Sequence, residues 1–237
     1  MHDKPDLRGL EATAYQQHGY FTTSQARERG ISSQLLSHYV RRNRFERVRR
    51  GLYRLPGFPR PEDDEMREKW MAVGTEKAIL SHQSALALLD LSDVIPNAVH
   101  VLLARRYRGV RRPAGVVIHT HPDEEEVDTV WREGLPLTAP ARTLIDVAGE
   151  LQPEQMEMAL WQALGGGLLT VRQLEEEGRR RGRHDAVSRA LAELRERGQD
   201  RDWLQAVVDS LHDRQARNSN AVQKGIAQLE RGQLEPA

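Results

Sequence analysis

The sequence predicts an α+β fold, because its hydrophobic period changes several times along 237 residues. Apolar residues at helical spacing, stopped by glycines, fill roughly the first 42 positions. Alternating or wholly apolar extended runs then mark 45–55 and much of 99–138, and helical spacing returns from Pro140. Each of these segments carries its own start and stop signals.

Leu7 to His18 reads as a first helix, with Leu7, Leu10, Ala14 and Tyr15 on one side and Gly19 placed to end it. Tyr20 and Phe21 form an apolar pair that anchors the next element. Thr22 followed by Gln25 is a capping box, so a second helix starts there and runs to about Arg29 before Gly30. From Ser32 to Arg42 the apolar residues Leu35, Leu36, Tyr39 and Val40 recur at i, i+1, i+4 and i+5, one helical face. The opposite face carries Gln34, Ser37, His38, Arg41 and Arg42. Phe45 to Leu55 alternates apolar and basic residues around Arg50-Gly51, a hairpin in which Arg47, Arg49, Arg50 and Arg54 project or line the tip.

Two short helices joined by a tight turn, then a basic hairpin, constitute the sequence pattern of a winged helix-turn-helix. The expected organisation is therefore a winged helix-turn-helix DNA-binding domain over 1–57, an α/β body over 62–198, and polar C-terminal helices, read as mobile, over 199–237. Pro56-Gly57-Phe58-Pro59-Arg60-Pro61 is the hinge between the first two.

Charge follows the same division. The chain is formally neutral, with 35 Lys and Arg against 35 Asp and Glu, yet residues 1–60 hold 12 basic against 5 acidic side chains. A basic head on an acidic body is the asymmetry of a protein that meets phosphate with one module only. In the head, Ser33, Gln34, Ser37 and His38 lie in the first turns of the second helix-turn-helix helix and are the candidates for reading base edges. Arg41, Arg42, Arg44, Arg49 and Arg50 are the candidates for phosphates, which set affinity and register rather than sequence. The rival reading of that basic face is a solvated helix surface.

The body begins with a helix, Glu62 to Val73, followed by Ile79-Leu80-Ser81-His82 and a small-residue helix, Gln83 to Leu89. Buried strands are expected at Val99–Leu103 and Val116–His119, with further strands at Val127–Trp131 and Leu135–Thr138. Pro140 opens a helix, and the remainder is all-helical, with helices at 153–164, 170–181, 185–197 and 202–214. The loop 105–112 carries five arginines and no acid, which suits either a second phosphate surface or a solvated tip.

Composition narrows the chemistry. Cysteine is absent, which excludes disulfides, thiolate zinc sites and a cysteine nucleophile, and a reducing cytoplasm is the expected compartment. No run approaches the ~18 apolar residues of a membrane span, and the first ten residues lack the apolar core of a signal peptide. His119, His121 and Asp123 have metal-ligand types, but no fourth ligand converges with them, so strand alternation explains the pair. Ser81, His82 and Asp90 hold hydrolase residue types at spacings that do not by themselves make a triad. Arg142 and Asp146 sit at i, i+4, a structural pair. No catalytic residue, metal or cofactor is expected, and the chain is not read as an enzyme.

The order Gly19-Tyr20-Phe21-Thr22-Thr23, Gly30-Ile31-Ser32 and Arg47-Val48-Arg49-Arg50-Gly51-Leu52-Tyr53-Arg54 resembles the winged helix of the AbiEi antitoxin family, from type IV toxin–antitoxin systems. Leu80 to Leu86 and Leu135 to Asp146 are also similar to that family, and the likeness runs from about residue 7 to 197. The resemblance implies a cytoplasmic two-domain protein that represses its own operon by binding operator DNA. It also implies that the C-terminal domain helps neutralise a nucleotidyltransferase toxin, and it gives Arg49, Arg50 and helix 33–42 the DNA-contacting role. A similar arrangement precedes very-short-patch-repair-like endonuclease modules, but no acidic nuclease cluster with a nearby lysine follows residue 150. A winged-helix regulator without a toxin, and a metal-dependent hydrolase or nuclease, are the alternatives.

Overall fold

A computed structural model describes residues 5–60, 64–74, 78–91, 93–110 and 112–197. The chain divides into two compact units, Met1–Ala85 with Ile95–Ala139, and Leu86–Val94 with Pro140–Ala237.

The first unit opens with α1 (Leu7–Gln16), β1 (Tyr20–Thr22), α2 (Thr23–Glu28), α3 (Ser33–Arg41), β2 (Glu46–Arg49) and β3 (Leu52–Arg54). Asp6 caps α1 by accepting from the Gly9 N–H at 2.8 Å, and Gly19, at φ +88°, turns the chain out of it. The capping box at α2 forms in full: the Gln25 side chain accepts from the Thr22 N–H at 2.8 Å and the Thr22 hydroxyl from the Gln25 N–H at 3.3 Å. Tyr20 and Phe21 go beyond their expected anchoring role and form a strand. Phe21 pairs with Tyr53 in an antiparallel sheet of order β1-β3-β2. Pairing follows from packing, since Phe21 stacks on Tyr53 at 5.6 Å and meets the Phe45 ring edge-on at 4.8 Å. Around these rings Leu10, Ala14, Ala26, Ile31 and Leu36 complete one buried core.

The same unit continues through α4 (Asp64–Val73), β4 (Ile79–Leu80), the start of α5 (His82–Leu88), β5 (Val99–Ala104), β6 (Val116–His121), β7 (Thr129–Arg132) and β8 (Leu135–Thr138). These strands make a mixed sheet of order β6-β5-β4-β8-β7, with β5–β6 and β4–β8 parallel and the other pairs antiparallel. Strand β7 begins two residues later than its apolar pattern suggests. Its register is fixed by the turn Glu133-Gly134, where both residues have positive φ (50° and 72°) and Arg132 pairs with Leu135. Buried hydrogen bonds tie α4 into this unit: the Tyr20 hydroxyl donates to Asp64 at 2.9 Å, and the Trp70 indole to the Ala78 carbonyl at 2.8 Å.

The second unit contains α6 (Pro140–Val147), α7 (Pro153–Gly165), α8 (Val171–Arg180) and α9 (His184–Arg197). Side-chain caps begin α7 and α8: Gln152 pairs reciprocally with Gln155, and Thr170 with Gln173. Leu160, Leu174, Val187 and Leu191 are buried. On α6, Arg142 donates to Asp146 at 2.7 Å, the expected i, i+4 pair. The predicted helix 202–214 and the segment 199–237 lie outside the described residues. The fold class is α+β: a winged helix-turn-helix with a small sheet, a mixed α/β part and a helical C-terminal region. Among the described residues, no helix is long and apolar enough to cross a membrane.

Candidate nucleic-acid interface

The second helix of the helix-turn-helix is α3. Ser32 starts it by accepting from the Leu35 N–H at 3.2 Å, after Gly30 (φ +73°) has reversed the chain from α2. Leu36 is fully buried, and Leu35, Tyr39 and Val40 pack beside it on the core. That anchoring leaves Ser33, Gln34, Ser37, His38 and Arg41 exposed on the outer face, one set by helical spacing. The Ser37 hydroxyl donates to the Ser33 carbonyl at 2.9 Å, so what it offers outward is its oxygen as an acceptor. His38 rests edge-on against Tyr39, ring centres 5.8 Å apart. Arg42 follows, exposed, at the C-terminal cap of the helix.

Arg44 and Arg49 differ from these groups in each having an acidic partner. Arg44 donates from Nε and Nη2 to Glu11 of α1, at 3.2 and 2.9 Å, and its guanidinium lies 5.7 Å from the centre of the Tyr39 ring. Arg49 is half-buried and donates to Glu68 of α4, its Nε contact measuring 2.8 Å. Arg41, Arg42, Arg47 and Arg50 are exposed, and none forms an ion pair among the described residues. At the hairpin tip Arg50 precedes Gly51 (φ +88°), whose carbonyl accepts from the Thr23 N–H at 2.9 Å and so fixes the tip to the start of α2.

Arg54 corrects the sequence reading. Expected to project, it is 3% exposed, donates to the carbonyls of Phe58 and Pro59, and lies 5.3 Å from the Tyr20 ring centre. Alternation marked it as outward, but β3 is the central strand of its sheet and all three of its residues are buried, Arg54 beneath the segment Phe58-Pro59 and beside Tyr20. The acidic partners Glu11 and Glu68 were not found from sequence either. They lie 33 and 19 residues from their arginines, and no local spacing reports such a contact.

The other candidates separate into local structural roles. Asp123 accepts from the Arg106 N–H at 2.7 Å, fastening the arginine loop to the acidic run after β6. His121 Nδ1 donates to the Pro122 carbonyl at 2.8 Å. His119 instead stacks on His82 at 3.5 Å and shares a 2.9 Å hydrogen bond with His100 through facing ring nitrogens. Burial, and then the neighbouring His100, push the His119 imidazole down to about 4, so it is neutral near pH 7. His119, His121 and Asp123 are thus each directed to a different partner. Ser81 is fully buried, its hydroxyl 3.1 Å from His82 Nδ1, while Asp90 belongs to the second unit.

Residues 10–56, which hold α3 and the hairpin, match the family described as transcriptional regulator, AbiEi antitoxin. Among solved structures, the crystal structure of the RV2827C protein from Mycobacterium tuberculosis is similar, at 16% identity over 85% of this chain and 79% of that chain, with a TM-score of 0.49. No curated protein matches the chain.

Proposed function

We propose that this protein is a sequence-specific DNA-binding repressor of its own operon and the antitoxin of a type IV pair, a reading supported by the match of residues 10–56 to the AbiEi antitoxin transcriptional regulators. The observation that carries the DNA-binding half is the polar outer face of α3, held out by a fully buried Leu36 and followed by a basic hairpin. A helix of this width fits the major groove, where side-chain donors and acceptors distinguish all four base pairs. Gln34 and His38 supply donor and acceptor groups to base edges, with Ser33 and Ser37 adding hydroxyl oxygens. Arg41, Arg42 and Arg50 neutralise phosphates. Arg44 reaches the backbone only by leaving Glu11, and Arg49 only by leaving Glu68.

The partner in this reading is double-stranded operator DNA, and a nucleotidyltransferase toxin is the second partner, with the helical unit contributing to its neutralisation. The family of residues 10–56 supports the antitoxin half. No residue is assigned a catalytic role, and the cytoplasm is the working compartment. Gel shift on the promoter region of the protein's own gene tests the first half: a discrete complex that Arg49→Ala with Arg50→Ala weakens is expected. Absence of any complex at micromolar protein and ~50 mM salt would overturn it. Co-expression with the adjacent gene tests the second, and a nucleotidyltransferase whose toxicity this protein does not relieve would overturn it.

A further inference from the structure

A groove of about 240 Å³ lies within the second unit, lined by residues of α6, α7, α8 and α9. Its floor is core: Ile145, Leu160, Leu174 and Val187 are buried. Its walls are half-buried, with Leu151 and Met156 contributed from the α6–α7 side and Ala186 and Ala190 from α9. Apolar surface therefore continues from the core out into the opening, while Arg183, Arg189 and Glu193 are exposed at the rim. The volume is below the ~300–1,000 Å³ range of small-molecule sites. A row of aliphatic side chains from one face of a helix suits such a groove better than a free ligand does.

The chain itself supplies that row. Helix α9 ends at Arg197, and residues 198–237 follow it. Within them Leu204, Val207, Val208 and Leu211 recur at i, i+3, i+4 and i+7, the spacing by which a helix lays one face into a groove. By the same periodicity Asp202, Ala206, Asp209 and Asp213 fall on the opposite side. Residues 198–201, opened by the helix-stopping Gly198, match the length of an αα-hairpin loop, roughly 2–5 residues. A helix that starts at Asp202 after so short a loop returns antiparallel to α9. The stretch 204–211 would be about 10 Å long, equal to the stretch 186–193 of α9 that lines the groove.

We infer that residues 202–212 form a helix that docks in this groove of their own chain, with Leu204, Val207, Val208 and Leu211 against Leu151, Met156, Ala186 and Ala190. While docked, the segment closes the groove to helices of other chains. The inference is independent of the DNA-binding reading. Because the chain has no cysteine, Met156→Cys or Ala186→Cys in the full-length protein places a single thiol on the wall of the groove, one on α7 and one on α9. The rate of alkylation by a maleimide then reads whether the groove is covered. Slow labelling is expected at both positions, accelerated about tenfold or more by Val207→Asp with Leu211→Asp. Ala206→Asp with Ser210→Asp puts the same charge on the other side of the helix and should leave the rate unchanged. Hydrogen exchange on the wild-type chain supplies a reading without substitutions, and protected amides over 204–211 are expected. The docking is overturned if those amides exchange as in an unstructured chain, or if neither thiol responds to Val207→Asp with Leu211→Asp. It is equally overturned if both aspartate pairs accelerate labelling alike. Labelling that slows as protein concentration rises would make the occupant a second copy and overturn docking within one chain.

Discussion

Arg49, the last residue of β2, donates from both Nε and Nη2 to a single carboxylate oxygen of Glu68 on α4. An arginine expected to grip phosphate is thus already satisfied by a carboxylate, and in the proposed DNA complex that partner is displaced. The pair is partly exposed, at 31% and 21% of the two side chains, so the displacement costs on the order of 1 kcal/mol or less. Glu68→Gln should therefore tighten operator binding a few-fold and steepen its salt dependence by about one phosphate contact. Anisotropy titrations between 50 and 200 mM salt measure both, and an unchanged slope would make Arg49 a purely structural residue.

The exposed arginines and the polar face of α3 should separate in kinds of loss. Arg41→Ala, Arg42→Ala and Arg50→Ala are expected to weaken specific and random DNA alike, each lowering the log–log salt slope by about 0.9. Gln34→Ala and His38→Ala should cost about 1–3 kcal/mol on the operator and almost nothing on random sequence. Uniform losses from all five variants would remove α3 as the reading element.

The core beneath α3 sets its position. Leu36→Ala empties a fully buried site among Phe45, Tyr39 and Ile31 and should destabilise the winged helix by about 2–5 kcal/mol, seen in chemical denaturation. Thr22→Ala removes half of the α2 capping box and should cost about 1 kcal/mol.

Acid should act through His119 of β6. His119 is held neutral down to about pH 4 when folded, against an ordinary value of 6.5, because burial and His100 penalise its cation. The unfolded chain therefore takes up this proton first. Stability from His119 is complete above pH 6.5 and declines as pH falls from there towards 4. His119→Asn should flatten that part of the stability–pH curve, and a curve of unchanged steepness would exclude His119 as its source.

Local sequence determined the helix-turn-helix almost completely. Caps at Thr22 and Ser32, glycines where φ turns positive, and the apolar spacing of Leu35, Leu36, Tyr39 and Val40 all act within a few residues, and short-range signals of that kind survive in one dimension. The four helices from Pro140 to Arg197 were legible for the same reason. The third strand of the head, the burial of Arg54, the capture of Arg44 and Arg49 by Glu11 and Glu68, and the stacking of His82 on His119 were decided only in three dimensions. Apart from the hydrogen bonds of Arg54 to Phe58 and Pro59, these join groups 19 to 37 residues apart, and which partner satisfies a buried or charged side chain depends on where other strands and helices arrive, information that periodicity does not carry.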